Sequence, residues 1–505
     1  MPYGTMSAVT VLLGSAPLTA DDVSAVAEEG GKVAIEPQVW SRLTEEKAVV
    51  DRAVESDAAV YGVTTGLGAR SQLRMDGPEA STAGLRTVRA RATATGPPLP
   101  TAVVRAAMLV RLGSFARGGS GIAPDVAALL TEMLNRQVHP VVPRVGSIGS
   151  SDLVQMAHVG LAVAGEGEAE IHGTRMDGAT ALRRAGLEPV PLDARDGLAL
   201  CAASPLAAGT TALCLTRLAT VLESAAQVAA LSFEGWRAGT GVVDDAVLAV
   251  RPQPGQGRAA ERIRKHLAGG DLLATGRGRR LQDPISFRCV AAAHGSLEHA
   301  VDALADVLTG ELNGNGDNPV VLDGRVVPTG NFHTPLLALA CDQVALAVTQ
   351  NAAMSVARLQ RFLESGLSGL PENLTRHGAG RAGFAPTVKT AQALLANIHH
   401  TAAPLSIDPR MGAASVEDHS TNAFSSALRL VDILDWYRHV LAIEALAAAQ
   451  ACDLLTDDPV LGQSVSTLRA RIRGVSPALG DDRPLSTDIE RVALILAERV
   501  YLPEG

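Results

Sequence analysis

Five long runs rich in alanine and leucine restrict the fold of this chain more than any other feature of its sequence. They cover residues 206–236, 291–312, 336–364, 388–400 and 421–455. Most of them are longer than an average globular helix of about 11–12 residues. Only 3% of the residues are aromatic, so the core must be aliphatic, and its helices can pack closely through small side chains. We therefore predict a mainly α-helical fold with a long central bundle whose outer faces are covered by other subunits.

The composition excludes several classes of protein. The chain has 505 residues, of which 47% are hydrophobic and 19% charged, as in a globular protein of one to three domains. Its net charge of −9 and the lack of a dense basic cluster argue against a nucleic-acid partner. The five cysteines lie far apart without a Cys-x-x-Cys pair, so neither a metal site nor a disulfide framework is expected. We find no signal peptide and no uninterrupted apolar run of about 18 residues, which predicts a cytoplasmic chain without a membrane span.

Two glycine-punctuated stretches in the first third of the chain are candidates for a functional site. One runs from Tyr61 to Gly68, and the other reads Val-Gly-Ser-Ile-Gly-Ser-Ser-Asp-Leu over residues 145–153. An apolar run that predicts a buried helix follows the second stretch directly. Ser150, Ser151 and Asp152 precede this helix, where they can cap its first free N–H groups. The alternative is a reactive loop at the positive end of the helix.

Both stretches resemble loops of the histidine/aromatic amino acid ammonia-lyase and aminomutase family. The first is similar to the family's Tyr-Gly-Val-Asn/Thr-Thr-Gly-Phe-Gly. The second is similar to its Gly-Ser-hydrophobic-Gly, Ala/Ser/Thr-Ser-Gly and Asp-Leu. In that family the Ala/Ser/Thr-Ser-Gly triplet cyclises and its middle serine is dehydrated, which gives the electrophile methylidene-imidazolone (MIO). The resemblance covers nearly the whole chain. It implies an ammonia-lyase-like fold, with the loops in an N-terminal domain (1–205) and the bundle in residues 206–505. It also implies a homotetramer whose active sites are each built from several subunits.

The second loop is one residue shorter than the family's loop. In one alignment the triplet is Ser150-Ser151-Asp152, and the cyclising glycine is missing. In the other it is Gly149-Ser150-Ser151, and a serine stands in the place of that glycine. The cyclising amide has to attack a carbonyl in a cramped turn, which suits a residue without a Cβ atom. Whether a self-derived MIO forms therefore stays open, and no external cofactor is expected.

Other residues match positions that serve the family's reaction. By this resemblance Tyr61 is the catalytic base on a mobile lid, and Arg288 grips the substrate carboxylate. Glu417 faces the amino group or the side chain of the substrate as an acid or base. Asn331 and Phe332 are pocket residues. The alternatives are a structural ion pair for Arg288, a helix cap for Glu417, and a loop turn and a core aromatic for the last two.

Four positions depart from the family's pattern. Ala202 replaces the asparagine that contacts the cofactor ring, Ile285 replaces a tyrosine, and Ala292 replaces a glutamine. Arg91 falls at about the place of the pocket histidine. If it points inward, it suits an anionic or strongly polar substrate side chain better than an aromatic one. The alternative is a solvated basic helix face.

Three functional hypotheses follow from this pattern of retained and lost residues. The favoured one is a lyase-fold enzyme without a standard MIO. It would act on an amino acid or related carboxylate held by Arg288, with Tyr61 and Glu417 as acid and base for elimination, addition, isomerisation or cyclisation. The second is an ammonia-lyase or 2,3-aminomutase that still forms an electrophile from the shortened loop. The third is a non-catalytic binding protein, against which the intact tyrosine loop argues.

Overall fold

The computed structural model describes residues 9–56, 58–276, 278–376, 378, 380–412 and 416–498. The predicted mainly α-helical fold is confirmed. The helices are α1 (Ala20–Ala27), α2 (Pro37–Glu55), α3 (Gly77–Ser81), α4 (Ala83–Arg91), α5 (Thr101–Arg117), α6 (Pro124–Asn135), α7 (Leu153–Val163), α8 (Gly178–Arg184), α9 (Asp196–Cys201), α10 (Pro205–Trp236), α11 (Asp245–Ala249), α12 (Gln256–Leu267), α13 (Asp271–Thr275), α14 (Ile285–Arg288), α15 (Val290–Asn313), α16 (Pro335–Leu363), α17 (Ser365–Ser368), α18 (Ala385–Thr401), α19 (Ala423–Leu454), α20 (Gln463–Val475) and α21 (Ser486–Ala497). Short 3₁₀ segments cover Gly68–Arg70, Thr240–Val243 and Glu372–Leu374.

The five alanine- and leucine-rich runs form α10, α15, α16, α18 and α19. Pro205 and Pro335 stand at the first positions of α10 and α16, where a missing N–H costs no intrahelical hydrogen bond. By length and composition alone, the stretch Asp196–Trp236 and helix α16 could cross a membrane. However, 94% of the most apolar window of the first and 61% of that of the second are buried inside the protein. The stretch Asp196–Trp236 is therefore buried to the extent that is typical of a core helix in a folded protein.

The strands in the described residues are short and form four small sheets. They are β1 (Thr10–Leu13), β2 (Lys32–Ile35), β3 (Thr95–Pro98), β4 (Val138–Pro140), β5 (Pro143–Val145), β6 (Glu168–Ile171), β7 (Thr174–Asp177), β8 (Val320–Leu322) and β9 (Arg325–Val327). The pair β1–β2 is parallel, whereas β3–β5, β4–β6–β7 and β8–β9 are antiparallel. A hairpin turn joins β6 to β7. Its two central residues, His172 and Gly173, have φ angles of 49° and 75°, the signs of a type I′ turn.

The chain divides into two compact units. Unit 1 contains residues 1–216, 305–341 and 404–428, and unit 2 contains residues 217–304, 342–403 and 429–505. Unit 1 thus combines the predicted N-terminal domain with two later segments, and all strands named above lie in it.

The core of unit 1 contains a buried charged cluster. The Asp317 carboxylate, which is 0% exposed, accepts hydrogen bonds from Arg111 Nη2 at 2.6 Å and from Arg195 Nη2 at 3.0 Å. Its other oxygen accepts from Ser120 Oγ at 2.6 Å. Arg111 also donates to the carbonyl oxygen of Ala199, in α9. The cluster therefore ties α5 and α9 to the segment that follows α15.

Unit 2 has both an aromatic and a charged core cluster. Trp236 stacks on Phe287 with ring centroids 4.9 Å apart, and Phe233 and Phe362 also contact Phe287. The buried Glu444 carboxylate accepts from Arg358 Nε at 2.5 Å and from Ser232 Oγ at 2.6 Å. These contacts join α10, α14, α16 and α19 within unit 2.

Candidate active site

One cavity in unit 1 brings together most of the predicted catalytic residues. Its volume is about 510 Å³, and its wall includes Tyr61, Ser150, Ser151, Phe332 and Glu417. The rest of the wall is small, apolar or neutral: Ala59, Thr65, Gly68, Ser71, Gln72, Leu153, Leu198, Ala202, Asn318, Pro328, Thr329 and Val416. Among the described residues the wall contains no lysine, arginine or histidine, and Glu417 supplies its carboxylate. The cavity therefore favours positive charge near Glu417.

Tyr61 lies in a tight turn after α2. Val60 N–H donates to Thr64 Oγ1 at 2.8 Å, and this hydroxyl donates to the Ala58 carbonyl at 2.7 Å. Gly62 has a φ of +72°, and a Cβ atom built on it would lie 2.8 Å from Pro319 Cδ. A glycine is therefore required next to Tyr61 both by its backbone conformation and by the space around it.

The backbone of the loop that precedes α7 is held from one side by the segment that precedes α19. The Ile148 carbonyl accepts from Asn422 N–H at 2.9 Å, and the Gly149 carbonyl accepts from Thr421 Oγ1 at 2.9 Å. A Cβ atom built on Gly149, whose φ is +87°, would lie 2.3 Å from Thr421 Oγ1. Ser151 also has a positive φ of +62°, which is uncommon for a residue other than glycine. The loop is therefore a tight turn with little freedom to shift.

The prediction that Ser150, Ser151 and Asp152 cap the helix that follows them is wrong. Helix α7 has no side-chain cap, and Asp152 has φ and ψ angles of −94° and 37° instead of the extended backbone of most capping residues. The Ser150 hydroxyl donates to the His419 carbonyl at 3.0 Å, and the Ser151 side chain is buried. Only Asp152 caps a helix, and that helix is α10.

Asp152 joins the loop to the first turn of α10. Its Oδ2 accepts from Leu206 N–H at 2.9 Å and from Ala207 N–H at 3.1 Å, and its Oδ1 accepts from Ser147 Oγ at 2.8 Å. Burial raises the pKa of Asp152 to about 6, although these three hydrogen bonds oppose the rise. The Asp152 amide donates to the Ala203 carbonyl at 2.9 Å. Both the side chain and the amide of Asp152 thus have fixed partners.

Glu417 lies between two glycines. A Cβ atom built on Gly68, in the tyrosine loop, would lie 3.3 Å from Glu417 Oε1, and one built on Gly412 would lie 2.7 Å from Oε2. Glu417 does not cap a helix, because α19 begins only at Ala423. Its carboxylate is therefore close to the tyrosine loop and free to face the cavity.

Two histidines that the sequence analysis did not single out stand behind this wall. His333 Nε2 and His419 Nδ1 are 3.0 Å apart, which links the segment of Phe332 to that of Glu417. Partial burial, and then the charge of His419, lower the pKa of His333. Each histidine ends a motif that matches the family, Gly-Asn-Phe-His or Glu-Asp-His, and this was the available signal. No comparable signal marked Thr329 on the cavity wall.

Arg91 and Asn331 are near the cavity but not on its wall. Arg91 ends α4 and is half-buried, and the one hydrogen bond of its guanidinium to the described residues is to the Thr87 carbonyl at 3.3 Å. Burial raises the pKa of the Cys201 thiol to about 12, and the positive charge of Arg91 opposes this rise. Arg91 is therefore within electrostatic reach of the residue next to Ala202. The Asn331 side chain is exposed, whereas its neighbour Phe332 lines the cavity.

Arg288, Ile285 and Ala292 belong to unit 2. Arg288 is the last residue of α14 and is exposed. It forms no ion pair or side-chain hydrogen bond with the described residues, so the alternative of a structural ion pair has no support there. Ile285 is 61% exposed, and Ala292 lines a separate cavity of about 440 Å³ within unit 2. In the part of the chain that the structure describes, no group of three or more His, Cys, Asp or Glu side chains could hold a metal ion.

Comparison with known proteins gives the same family for nearly the whole chain. The sequence model of the family described as "Aromatic amino acid lyase" matches residues 18–474. A histidine ammonia-lyase of Treponema denticola is 35% identical over 496 residues, which are 97% of this chain and 97% of that protein.

Two solved structures extend the comparison to the fold. The ergothioneine-degrading enzyme ergothionase of Treponema denticola, in complex with desmethyl-ergothioneine sulfonic acid, has a TM-score of 0.92 at 28% identity. The match covers 96% of this chain and 98% of that one. A tyrosine aminomutase of Streptomyces globisporus has a TM-score of 0.91 at 29% identity, and the match covers 97% of each chain.

The helical fold and these matches define the chain as a carbon–nitrogen lyase of the ammonia-lyase type. The residues that line the cavity with Tyr61 and the Gly/Ser loop all lie within residues 18–474, which the family model matches. The chain belongs to the aromatic amino acid lyase family.

Proposed function

We propose that this lyase eliminates an amine from an amino acid or related carboxylate without a standard MIO group, and that Tyr61 removes the β-proton. The observation that carries the proposal is the shared cavity, in which Tyr61 and Glu417 face a loop with an altered triplet. A tyrosine and a carboxylate in one cavity can act as base and acid. We propose a cytoplasmic location for this activity.

The residues around the loop fit an MIO ring poorly, and this supports the proposal. In the triplet Ser150-Ser151-Asp152 the cyclising amide would be that of Asp152, which already donates to the Ala203 carbonyl at 2.9 Å. In the triplet Gly149-Ser150-Ser151 the cyclising residue would be Ser151, whose side chain is only 7% exposed in a tight turn. Ala202 cannot donate the hydrogen bond that the family's asparagine gives to the ring. We therefore assign no step of the reaction to an MIO.

The substrate carboxylate requires a cation that the cavity wall does not have. Arg288 is an exposed guanidinium without a carboxylate partner among the described residues, and its planar fork suits bidentate binding of a carboxylate. We propose that it serves a cavity within a homotetramer, as the family resemblance implies. Mass photometry of wild type and of an Arg288→Leu variant, with substrate titrations, tests this role. The Michaelis constant should rise while the tetramer stays intact.

The identity of the substrate side chain is set by the wall near Ala202. The relatives act on histidine and ergothioneine by their names, and both compounds carry a polar imidazole-type ring. Arg91 lies within electrostatic reach of this wall and suits a polar or anionic group better than a plain phenyl ring. We propose a histidine-derived or similarly polar compound as the first substrate to assay.

The alternative function is an MIO-dependent ammonia-lyase or 2,3-aminomutase. Two observations favour it: Ser150 stands in the middle of the triplet Gly149-Ser150-Ser151, and one similar structure is a tyrosine aminomutase. A non-catalytic lyase-fold binding protein is the third possibility. It gives no reason for the strict backbone requirements at Gly62 that hold Tyr61 on the cavity wall.

The deciding experiment is an intact mass measurement with peptide mapping across residues 146–153, paired with variants. Under the proposal the peptide mass is unmodified, and Ser150→Ala retains amine release within a few-fold of wild type. Tyr61→Phe should abolish amine release while substrate binding persists in calorimetry. Loss of one water from the peptide, together with inactivation by Ser150→Ala, would replace the proposal with the MIO-dependent alternative. If Tyr61→Phe is as active as wild type, the base has been wrongly assigned.

A further inference from the structure

We propose that unit 2 carries a second active centre, in which Ser464 is an acyl-accepting nucleophile, His266 is its general base and Glu223 orients that base. The centre would transfer a short acyl group from an activated ester first to Ser464 and then to water. All three residues belong to unit 2 and lie outside the cavity with Tyr61. The inference is therefore independent of the proposed lyase function.

The three side chains form a continuous series of short contacts. Ser464 Oγ lies 2.7 Å from His266 Nδ1, and His266 Nε2 lies 2.9 Å from Glu223 Oε1. The second contact is close but not aligned as a hydrogen bond, as is common in active sites without substrate. A nucleophile beside a base that a third group orients is the arrangement of an acyl-transfer triad. Either ring nitrogen can accept the hydroxyl proton while the other faces the carboxylate.

A neighbouring amide determines where the hydroxyl proton of Ser464 points. Gln227, one turn after Glu223 on α10, donates from Nε2 to Ser464 Oγ at 3.0 Å and to the Ser464 carbonyl at 3.4 Å. Because this amide occupies one lone pair of Oγ, the hydroxyl proton is directed to His266 Nδ1. Neutral His266 then has its own proton on Nε2, next to Glu223. This is the protonation state that a general base requires.

Glu223 has the charge that the base needs. Its Oε2 accepts from Arg262 Nη1 at 2.9 Å, and Arg262 Nε also pairs with Glu298 at 3.0 Å. Burial opposes the shift, but the contacts with His266 and Arg262 hold the pKa of Glu223 below its usual value. A carboxylate beside Nε2 stabilises the imidazolium that forms when Nδ1 takes the proton of Ser464. Glu223 is therefore a positioning residue for the histidine.

The nucleophile is the second residue of α20 and stands among free amides. The Ser466 amide donates to the Gly462 carbonyl at 2.8 Å, whereas the amides of Ser464 and Val465 donate to no acceptor in the part of the chain that the structure describes. Such amides at the positive end of a helix can stabilise an oxyanion. A Cβ atom built on Gly462 would lie 2.5 Å from the His266 carbonyl oxygen. This close approach fixes the start of α20 against the histidine.

The exposure of the three residues suits a reaction at the surface. His266 is 0% exposed and the Glu223 side chain is 15% exposed, whereas Ser464 is half-buried. The base is therefore shielded from water, while a reagent can approach the serine from solvent. Because the serine lies near the surface, we expect short acyl groups such as acetyl to react first.

The proposed reaction uses only an ester and water. Ser464 Oγ attacks the carbonyl carbon of the ester while its proton passes to His266 Nδ1. The tetrahedral intermediate then breaks its bond to the leaving oxygen, which takes the proton from His266 and departs as an alcohol or phenol. Water attacks the acyl-serine with His266 again as the base. The carboxylic acid is released, and the serine regains its proton.

The test is covalent labelling of the full-length protein with a fluorophosphonate, which phosphonylates serines activated by a base. Digestion and fragment mass spectrometry locate the label. We expect it on Ser464 in the native chain but not in urea, and it should be lost in Ser464→Ala. The control Ser466→Ala, an exposed serine on the same helix, should be labelled as fast as wild type. His266→Gln should slow labelling about 100-fold. An unlabelled Ser464, under conditions that label a serine protease completely, would overturn the proposal.

A second set of measurements separates catalysis from structural support. Wild type should hydrolyse 4-nitrophenyl acetate at least about tenfold faster than Ser464→Ala. Glu223→Gln should lower the maximal labelling rate about tenfold at an unchanged half-saturating probe concentration, and Glu223→Asp, which keeps the charge, should recover part of that rate. Circular dichroism melts show whether each variant is folded. A Ser464→Ala variant that melts at a lower temperature but hydrolyses the ester as fast as wild type would show that the three residues only support the fold.

Discussion

The buried carboxylate of Asp317 provides the sharpest test of how unit 1 is held together. It pairs with Arg111 at 2.6 Å and with Arg195 at 3.0 Å, and the three side chains are at most 1% exposed. The substitution Asp317→Asn keeps the shape of the side chain and removes its charge. It therefore leaves two buried guanidinium groups without a counter-ion.

The structure sets the size of the effect. Removing one partner of a buried ion pair costs about 3–5 kcal/mol, because the remaining charge stays buried and uncompensated. Part of the cost is avoided here, since Arg111 still donates to the Ala199 carbonyl and Arg195 to the carbonyl oxygens of Ser120 and Pro319. We therefore expect a loss at the lower end of the range, about 3 kcal/mol, for Asp317→Asn, and a larger loss for Asp317→Ala.

The substitution Asp317→Asn should also disturb the wall of the cavity. Asp317 precedes Asn318 on the cavity wall, and Arg111 holds α9, which supplies Leu198 to the same wall. Urea denaturation followed by far-UV circular dichroism measures the stability, and amine release measures the activity. Glu55→Gln, an exposed substitution with the same charge change, is the control and should stay within about 0.5 kcal/mol of wild type. A loss below about 1 kcal/mol for Asp317→Asn would refute the view that this carboxylate compensates both guanidinium groups.

Three further predictions concern single residues. Folding raises the pKa of Asp152 to about 6 from its ordinary 3.8. The folded state therefore binds this proton more tightly, and the contribution of Asp152 to stability is lost as pH rises through 6. Relative to wild type, Asp152→Asn should gain up to about 3 kcal/mol between pH 4 and pH 7 in urea denaturation, and a difference independent of pH would contradict this. Gly62→Ala should lower the free energy of unfolding by about 1–2 kcal/mol for its positive φ alone, and it should reduce turnover by displacing Tyr61. The control is Gly77→Ala, whose new Cβ has no neighbouring atom within 4 Å. This control should leave both the melting temperature and the activity nearly unchanged. Glu444→Gln should destabilise unit 2 by about 3 kcal/mol, because Arg358 stays buried beside it, and an unchanged denaturation midpoint would show that the pair is dispensable.

The helices could be predicted from the sequence because their signals are local. The alanine- and leucine-rich runs, with Pro205 and Pro335 at the starts of two of them, mark α10, α15, α16, α18 and α19 within a few residues. The hairpin turn at His172 and Gly173 has an equally local signal, the glycine at its second central position. These features depend on neighbours a few residues apart, so a single sequence is sufficient to find them.

The contacts that build the site could not be predicted in this way, because they join distant parts of the chain. Asp152 precedes α7 and was expected to cap it, yet it caps α10 more than 50 residues later. The same limit applies to the interleaved units, since residues 305–341 and 404–428 return to unit 1. The resemblance of sequence motifs identified Tyr61, Ser150 and Glu417 as candidates, but only the fold shows that they line one cavity.

The residues of the Gly/Ser loop before α7 can change without a change of the fold, because the position of this loop is fixed by partners outside the triplet. Thr421 and Asn422 hold the carbonyls of Gly149 and Ile148, and the Ala203 carbonyl holds the amide of Asp152. These partners use backbone atoms of the loop, so they do not depend on which residues fill the triplet. Fold and reaction are therefore separable at this loop.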